Sequence, residues 1–359
     1  MQKIDWIFEL KQKVPQFLEK LKGKKIPGFF HYSLSSDLYD EKLNWGLANT
    51  TFATKIYATL NLLEGLSMKN KQTMIDFIKG FQNQNGTISD PLIRKLAWKK
   101  NLLLTLKIKN LNNVFGQETM RAETRQAISS LKIFNTKPDF PFQKFPQTKK
   151  DIEKYLNKLN WQRPWHSGSQ FSHLLFFLEN SDLQNKTELT SEAIQWINTL
   201  QNPKDGCWYQ GNPSPQERVN GAMKIITGLQ VTGHLNFKYP EKIIDLCLGF
   251  NQYQQACDHF NLIYVLYHSC RLAQEAYRIA EVKQFTKQKL RIYYHYYYPE
   301  IGGFSFWPHR ANMYYYGAKI TKGLDEPDIH GTCMFLQGIN LTAQILKINS
   351  TLQFQEVVL

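Results

Sequence analysis

The chain has 359 residues, 42% of them hydrophobic and 21% charged, which is enough apolar material for a large core and excludes disorder, a collagen-like fibre and a bare interaction peptide. Lys+Arg 44 against Asp+Glu 30 gives a formal charge of +14, favouring anionic partners such as phosphates, diphosphates or an acidic lipid surface without choosing among them. The five cysteines, Cys207, Cys247, Cys257, Cys270 and Cys333, follow no CxxC spacing, so neither a disulfide framework nor a zinc ribbon is indicated, and a reducing, cytoplasmic setting is expected.

Residues 1–40 read as a basic amphipathic extension. Within 3–25, Ile4, Ile7, Phe8, Leu10, Phe17, Leu18 and Leu21 interleave with Lys3, Lys11, Lys13, Lys20, Lys22, Lys24 and Lys25. Such a helix suits either a peripheral contact with an anionic membrane or docking on the core through its apolar face. No apolar run approaches the roughly 20 residues that would span a bilayer, so the chain reads as soluble or peripheral.

From residue 41 to 359 the apolar spacing is helical, with no βαβ unit, and an all-α architecture is predicted. Segments 46–62, 121–134, 168–179, 216–231, 257–276 and 327–346 begin polar and continue small and apolar, the pattern of inner helices with buried bodies. Segments 70–82, 149–159, 188–201, 240–254 and 281–296 are candidates for outer helices. A repeated unit punctuates them. Phe77-Ile78-Lys79-Gly80-Phe81-Gln82 precedes Asn85-Gly86, Trp196-Ile197-Asn198-Thr199-Leu200-Gln201 precedes Asp205-Gly206-Cys207-Trp208, and Ile301-Gly302-Gly303-Phe304-Ser305-Phe306 is a weaker copy. The glutamine can tie down the turn, the glycine allows positive φ, and the aromatic plugs the next hairpin. Six inner helices with outer ones between them describe a closed ring of about six helical hairpins.

These repeats resemble the Gln-Asp-Gly-Trp-type repeats of the terpenoid cyclases, squalene-hopene-cyclase-like enzymes among them, and of the protein prenyltransferases, a superfamily built on an α/α toroid. The polar-headed segment from Asp325 to Gln344 looks like one of its inner helices. The resemblance implies a central, mostly apolar cavity, with chemistry at the mouth where the inner helices begin and where helix N-termini favour anions. The polar heads include Arg121, Glu123 and Arg125; His166, Gln170 and His173; Glu217, Arg218 and Asn220; Asp258, His259 and Asn261; and Asp325, Asp328 and His330.

Class II terpene cyclases use an Asp-x-Asp-Asp cluster to protonate an alkene or epoxide, because crowded carboxylates in low dielectric keep one acid protonated and aromatic faces stabilise the cations that follow. Asp328 is the expected general acid, oriented by His330, with Asp325 beside it. Pro327 departs from that motif. Glu217 and His259 complete the expected catalytic set, and on a sugar-cleaving helical toroid, as a lyase or glycosidase, they act with Arg218 and Tyr315 as base, acid and carboxylate-neutralising groups. Arg218, Asn220, Lys319, Lys322, Tyr315, Trp165 and His173 are expected to hold the substrate, the loop lysines gripping a diphosphate and the aromatics an apolar chain. Pro327 and the neighbouring acids are equally an ordinary helix start.

The acid-initiated reading needs no cofactor. Zinc or magnesium enters on the prenyltransferase-like reading, where Cys257, Asp258 and His330 offer metal-ligand types, although the family's Asp-x-Cys pair is missing and Gly331 stands where its histidine would be. The expected partner is a hydrophobic small molecule, with or without an anionic group, and a non-catalytic lipid-binding or scaffold role is the remaining alternative. Nucleic acid is set aside because the basic residues are dispersed and no binding motif is present. Oligomeric state leaves no mark on the sequence.

Overall fold

A computed structural model describes residues 4–108, 116–249, 254–273 and 276–358. The chain is helical. After a 3-10 turn at Asp5–Glu9 come α1 (Leu10–Leu21), α2 (Leu47–Thr59), α3 (Met68–Lys79), α4 (Pro91–Ile108), α5 (Gln117–Ile133), α6 (Lys149–Asn157) and α7 (Pro164–Glu179). They are followed by α8 (Lys186–Asn198), α9 (Pro215–Val231), α10 (Pro240–Gly249), α11 (Ala256–Leu272), α12 (Ile279–Tyr293), α13 (Ile329–Leu346) and α14 (Asn349–Leu352). Two small antiparallel hairpins precede α13: β1 (Tyr297–Tyr298) with β2 (Gly303–Phe304), and β3 (Tyr314–Tyr315) with β4 (Ala318–Lys319).

Burial separates two kinds of helix. Every residue of α2 is buried, and α7, α9 and α13 are buried over almost all of their central residues, Thr54, Thr227 and Thr332 included. Their threonines satisfy themselves by donating to the carbonyl one turn back, as Thr54 Oγ1 does to Thr50 O at 2.8 Å and Thr227 Oγ1 to Met223 O at 2.7 Å. By contrast α3 buries only Met74, Ile75 and Ile78, and α6 only Ile152 and Leu156, the single stripe of an amphipathic surface helix. The predicted inner segments correspond to α2, α5, α7, α9, α11 and α13, and the predicted outer ones to α3, α6, α8, α10 and α12. Helix α4 was not anticipated.

The chain divides into two compact units. The first contains Met1–Pro141, Gln255–Cys257 and Lys289–Val357. In it α2 packs against α13, α5 and α3, while α1 packs against β2. Leu10, Val14, Phe17, Leu18 and Leu21 of α1 are all buried, so the apolar face that would enter a membrane is taken up by the protein core, leaving the lysines and Phe8 outside. The second unit contains Phe142–Gln254 and Asp258–Gln288. Its centre is the contact of α7 with α9. That contact is close enough that a Cβ on Gly221 would lie 2.6 Å from Pro164 Cβ, so only glycine fits there.

The repeated turns are clamps. In the second unit Gln201 donates to Gly206 O at 2.8 Å and to Lys238 O, and accepts from Lys238 N at 3.1 Å. In the first unit Gln82 likewise donates to Phe140 O at 2.8 Å and accepts from Asp139 N at 2.8 Å. Each glutamine thus pins a backbone segment far along the chain with both halves of its amide. The turn glycines Gly86 and Gly206 have φ of 80° and 76°, and Ile88 and Trp208 plug the following bridge positions at 0% and 1% exposure.

Candidate functional site

The head of α13 gathers most of the predicted chemistry of the first unit. Asp328 is its N-cap and is fully buried. One carboxylate oxygen accepts from Gly331 N at 2.8 Å, while the other accepts from Phe306 N at 2.8 Å and Asn312 N at 3.0 Å. Burial pushes its pKa up to about 7 against the pull of these backbone donors. Both oxygens are occupied, so Asp328 holds the head of α13, the segment just after β2 and the 312 loop together.

His330, two residues further, stands in an aromatic box. Its ring stacks on Phe52 at 4.4 Å and 14°, and lies 4.7 Å from Phe306 and 6.2 Å from Tyr315 between centroids. Its two nitrogens face different partners: Nδ1 is 3.0 Å from Tyr32 Oη and Nε2 is 3.8 Å from Cys257 Sγ. Tyr32 Oη also accepts from Asn312 Nδ2 at 3.0 Å. Burial and the neighbouring Asp328 raise the Tyr32 phenol well above its usual range, so it stays neutral.

A second acidic group of the first unit pairs Asp90 with Glu123. Asp90 caps α4, its Oδ1 accepting from Leu92 N at 3.0 Å and Ile93 N at 3.1 Å and its Oδ2 from Gly46 N at 2.7 Å. Its own N–H donates to Glu123 Oε2 at 3.1 Å. Glu123 is 3% exposed, and its Oε1 has no hydrogen-bond partner among the described residues. Burial, reinforced by the Asp90 charge, raises the Glu123 carboxyl well above the ordinary range, and burial raises Asp90 to about 6. Its protonated form is therefore favoured, and one of its oxygens is uncommitted among the described residues. Its charge would be felt at Tyr315, which lies 6.1 Å from Phe52, tying the acid to the aromatic box.

The remaining first-unit predictions fall on the outside. Asp325 is exposed and accepts from Tyr298 Oη. Lys322 is exposed, and Lys319 pairs with Tyr314 across the hairpin on the solvent side, opposite the buried Tyr315 and Ala318. The strand alternation that buries Tyr315 turns Lys319 away from it, which corrects the expectation that the two would line one chamber.

In the second unit the predicted residues form a buried polar row. Asn220 Oδ1 accepts from Asn261 Nδ2 at 2.8 Å and from Gln216 Nε2 at 2.9 Å, and Asn220 Nδ2 donates to Asp258 Oδ1 at 3.2 Å. His259 is 1% exposed and His173 4% exposed, His173 Nε2 lying 3.4 Å from Ser169 Oγ. Glu217 stands in the first turn of α9, where Ser214 caps its N–H, and accepts weakly from Trp165 N at 3.5 Å. Arg218 is committed elsewhere: it donates to Pro213 O, Asp205 Oδ2 and Asn212 Oδ1 at 2.9, 3.1 and 2.7 Å and covers the Tyr209 ring. It braces the Asp-Gly turn, which corrects its assignment to a substrate.

Of the proposed metal ligands, Cys257 and His330 meet, whereas Asp258 turns to Asn220. Among the described residues no three His, Cys, Asp or Glu side chains come together as a metal would require. Tyr32, Asp90 and Asn312 were missed by sequence reading. Asp90-Pro91 is a helix-start signal that could have flagged one of them, while Tyr32 and Asn312 lie in aperiodic segments. No protein-family model and no curated protein matches the chain.

Proposed function

We propose that the chain is an α/α-toroid enzyme of the terpene-cyclase type, which starts cyclisation of a polyprenyl or similar apolar substrate by protonating it. Glu123 is the proton donor in this reading. The observation that carries it is the buried carboxyl of Glu123, pushed toward its protonated form, with Oε1 uncommitted among the described residues and its charge felt at Tyr315 of the aromatic box. The alternation of wholly buried and amphipathic helices supports the ring.

The chemistry follows from that arrangement. Glu123 gives its proton to an alkene carbon or epoxide oxygen, ring closure follows as the substrate's own π bonds attack the cation, and the last cation loses a proton from a neighbouring carbon to water, which leaves a neutral isomer of the substrate. The faces of Phe52, Phe306 and Tyr315 stabilise the migrating charge. Asp90 helps to keep the proton on Glu123 until substrate arrives, because a second negative charge beside it disfavours the carboxylate.

Incubation with linear polyprenyl alcohols and their terminal epoxides, read by gas chromatography and mass spectrometry, tests this. The expected product has unchanged mass and fewer double bonds, and Glu123→Gln lowers turnover by about a hundredfold or more while the circular-dichroism melt is retained. Full turnover in a folded Glu123→Gln protein rejects Glu123 as the donor.

A further inference from the structure

The geometry points to a second reactive centre in the first unit: Cys257 is a nucleophilic thiol activated by His330, built to accept an apolar acyl group from an activated ester or thioester. This inference shares the aromatic box with the acid-initiated reading but uses neither Glu123 nor Asp90, so loss of Glu123 leaves it standing.

Four features converge on one sulfur. Cys257 Sγ lies 3.8 Å from His330 Nε2, the contact a base needs to take the thiol proton. The opposite ring nitrogen, Nδ1, faces Tyr32 Oη at 3.0 Å, and with Nδ1–H donating to that oxygen the Nε2 lone pair is directed at the thiol. Tyr32 is itself anchored by Asn312 Nδ2 at 3.0 Å, so the chain Cys257, His330, Tyr32, Asn312 has the form of nucleophile, base and orienting groups. Finally, Cys257 is the second residue of α11 (Ala256–Leu272), whose N-terminal dipole favours a thiolate. Ala256 N donating to Phe306 O at 2.9 Å holds that end in place.

The other cysteines lack this setting. Cys207, Cys247 and Cys333 are buried, and burial pushes the thiols of Cys270 and Cys333 up to about 12. Cys257 is partly exposed. The rings of Phe52, Phe306 and Tyr315 around His330 select an apolar acyl chain over a polar one.

The step balances without a further reagent. The thiol proton passes to His330 Nε2 as Sγ bonds to the carbonyl carbon. The bond from that carbon to the leaving oxygen or sulfur then breaks, and the imidazolium returns the proton to the leaving group. The acyl group remains on Cys257 as a thioester until water or a second nucleophile removes it. Tyr32 is a positioning residue, since it acts through His330.

The test uses the full chain with p-nitrophenyl hexanoate as the acyl donor. The expected result is a nitrophenolate burst, a mass gain of one hexanoyl group that peptide mapping places on Cys257, and no gain in Cys257→Ser. The rate of acylation rises with pH through a midpoint below the ordinary thiol value of about 8.5. In His330→Gln, and more weakly in Tyr32→Phe, the midpoint moves back toward that value and the rate at pH 6.5 falls about tenfold. Acylation spread over lysines or other cysteines overturns the inference. So does a wild-type midpoint in the ordinary thiol range, which can be read without any histidine variant.

Discussion

Glu123 shows how one side chain makes stability and pH interdependent. Its folded-state pKa is raised well above 4.5 by burial and by Asp90, so the folded protein holds this proton more tightly than the unfolded chain. The stabilisation is complete below the unfolded value and is lost as pH climbs through the folded one. Glu123→Gln keeps the shape without the titration, so the stability of wild type relative to this variant is expected to fall as pH rises from the ordinary carboxyl range through the raised folded value, read as the difference between their urea midpoints. A difference that stays level or grows with pH removes the buried-acid reading. Legibility at this scale was uneven. Glu123 stood among the polar heads of the sequence, yet a carboxyl becomes an acid or a latch according to its donors. Asp328 has three backbone N–H groups on it and Glu123 has one, a distinction that belongs to loops from other parts of the chain.

The helices themselves were far more legible than the site they carry, because burial writes a period into a segment and a contact between distant segments does not. Segments 216–231 and 240–254, read as inner and outer, became α9 and α10. The unanticipated α4 has its apolar residues distributed all round, so no face announces it. The glutamine ending each repeat was read as tying down a turn, and in the structure it also reaches a segment that spacing alone could not identify. Gln201→Ala frees Lys238 N and O together with Gly206 O, and is expected to cost about 2 kcal/mol, seen as a fall in melting temperature. Gln201→Glu should lose nearly as much, because the carboxylate cannot donate to the two carbonyls. A Gln201→Ala melt indistinguishable from wild type would show that water replaces the clamp.

For the molecule as a whole, the decisive fact is that the first unit draws on segments near 1–141 and 289–357 while the second fills most of the interval. Ending the chain before Ile329 deletes α13, the helix packed on α2. The amides of 47–59 are then expected to lose their protection in hydrogen exchange, since all their side chains are buried. Unchanged protection there would mean that α2 is held without α13. Tyr32 meets His330 across 298 positions, and that separation has a biosynthetic cost. While the ribosome is still adding the interval, the apolar surface of α2 has been made and its cover has not, leaving a sticky intermediate for as long as elongation takes. Slow codons in the interval should therefore raise demand for chaperones on the nascent chain, whereas slow codons after residue 346 should not.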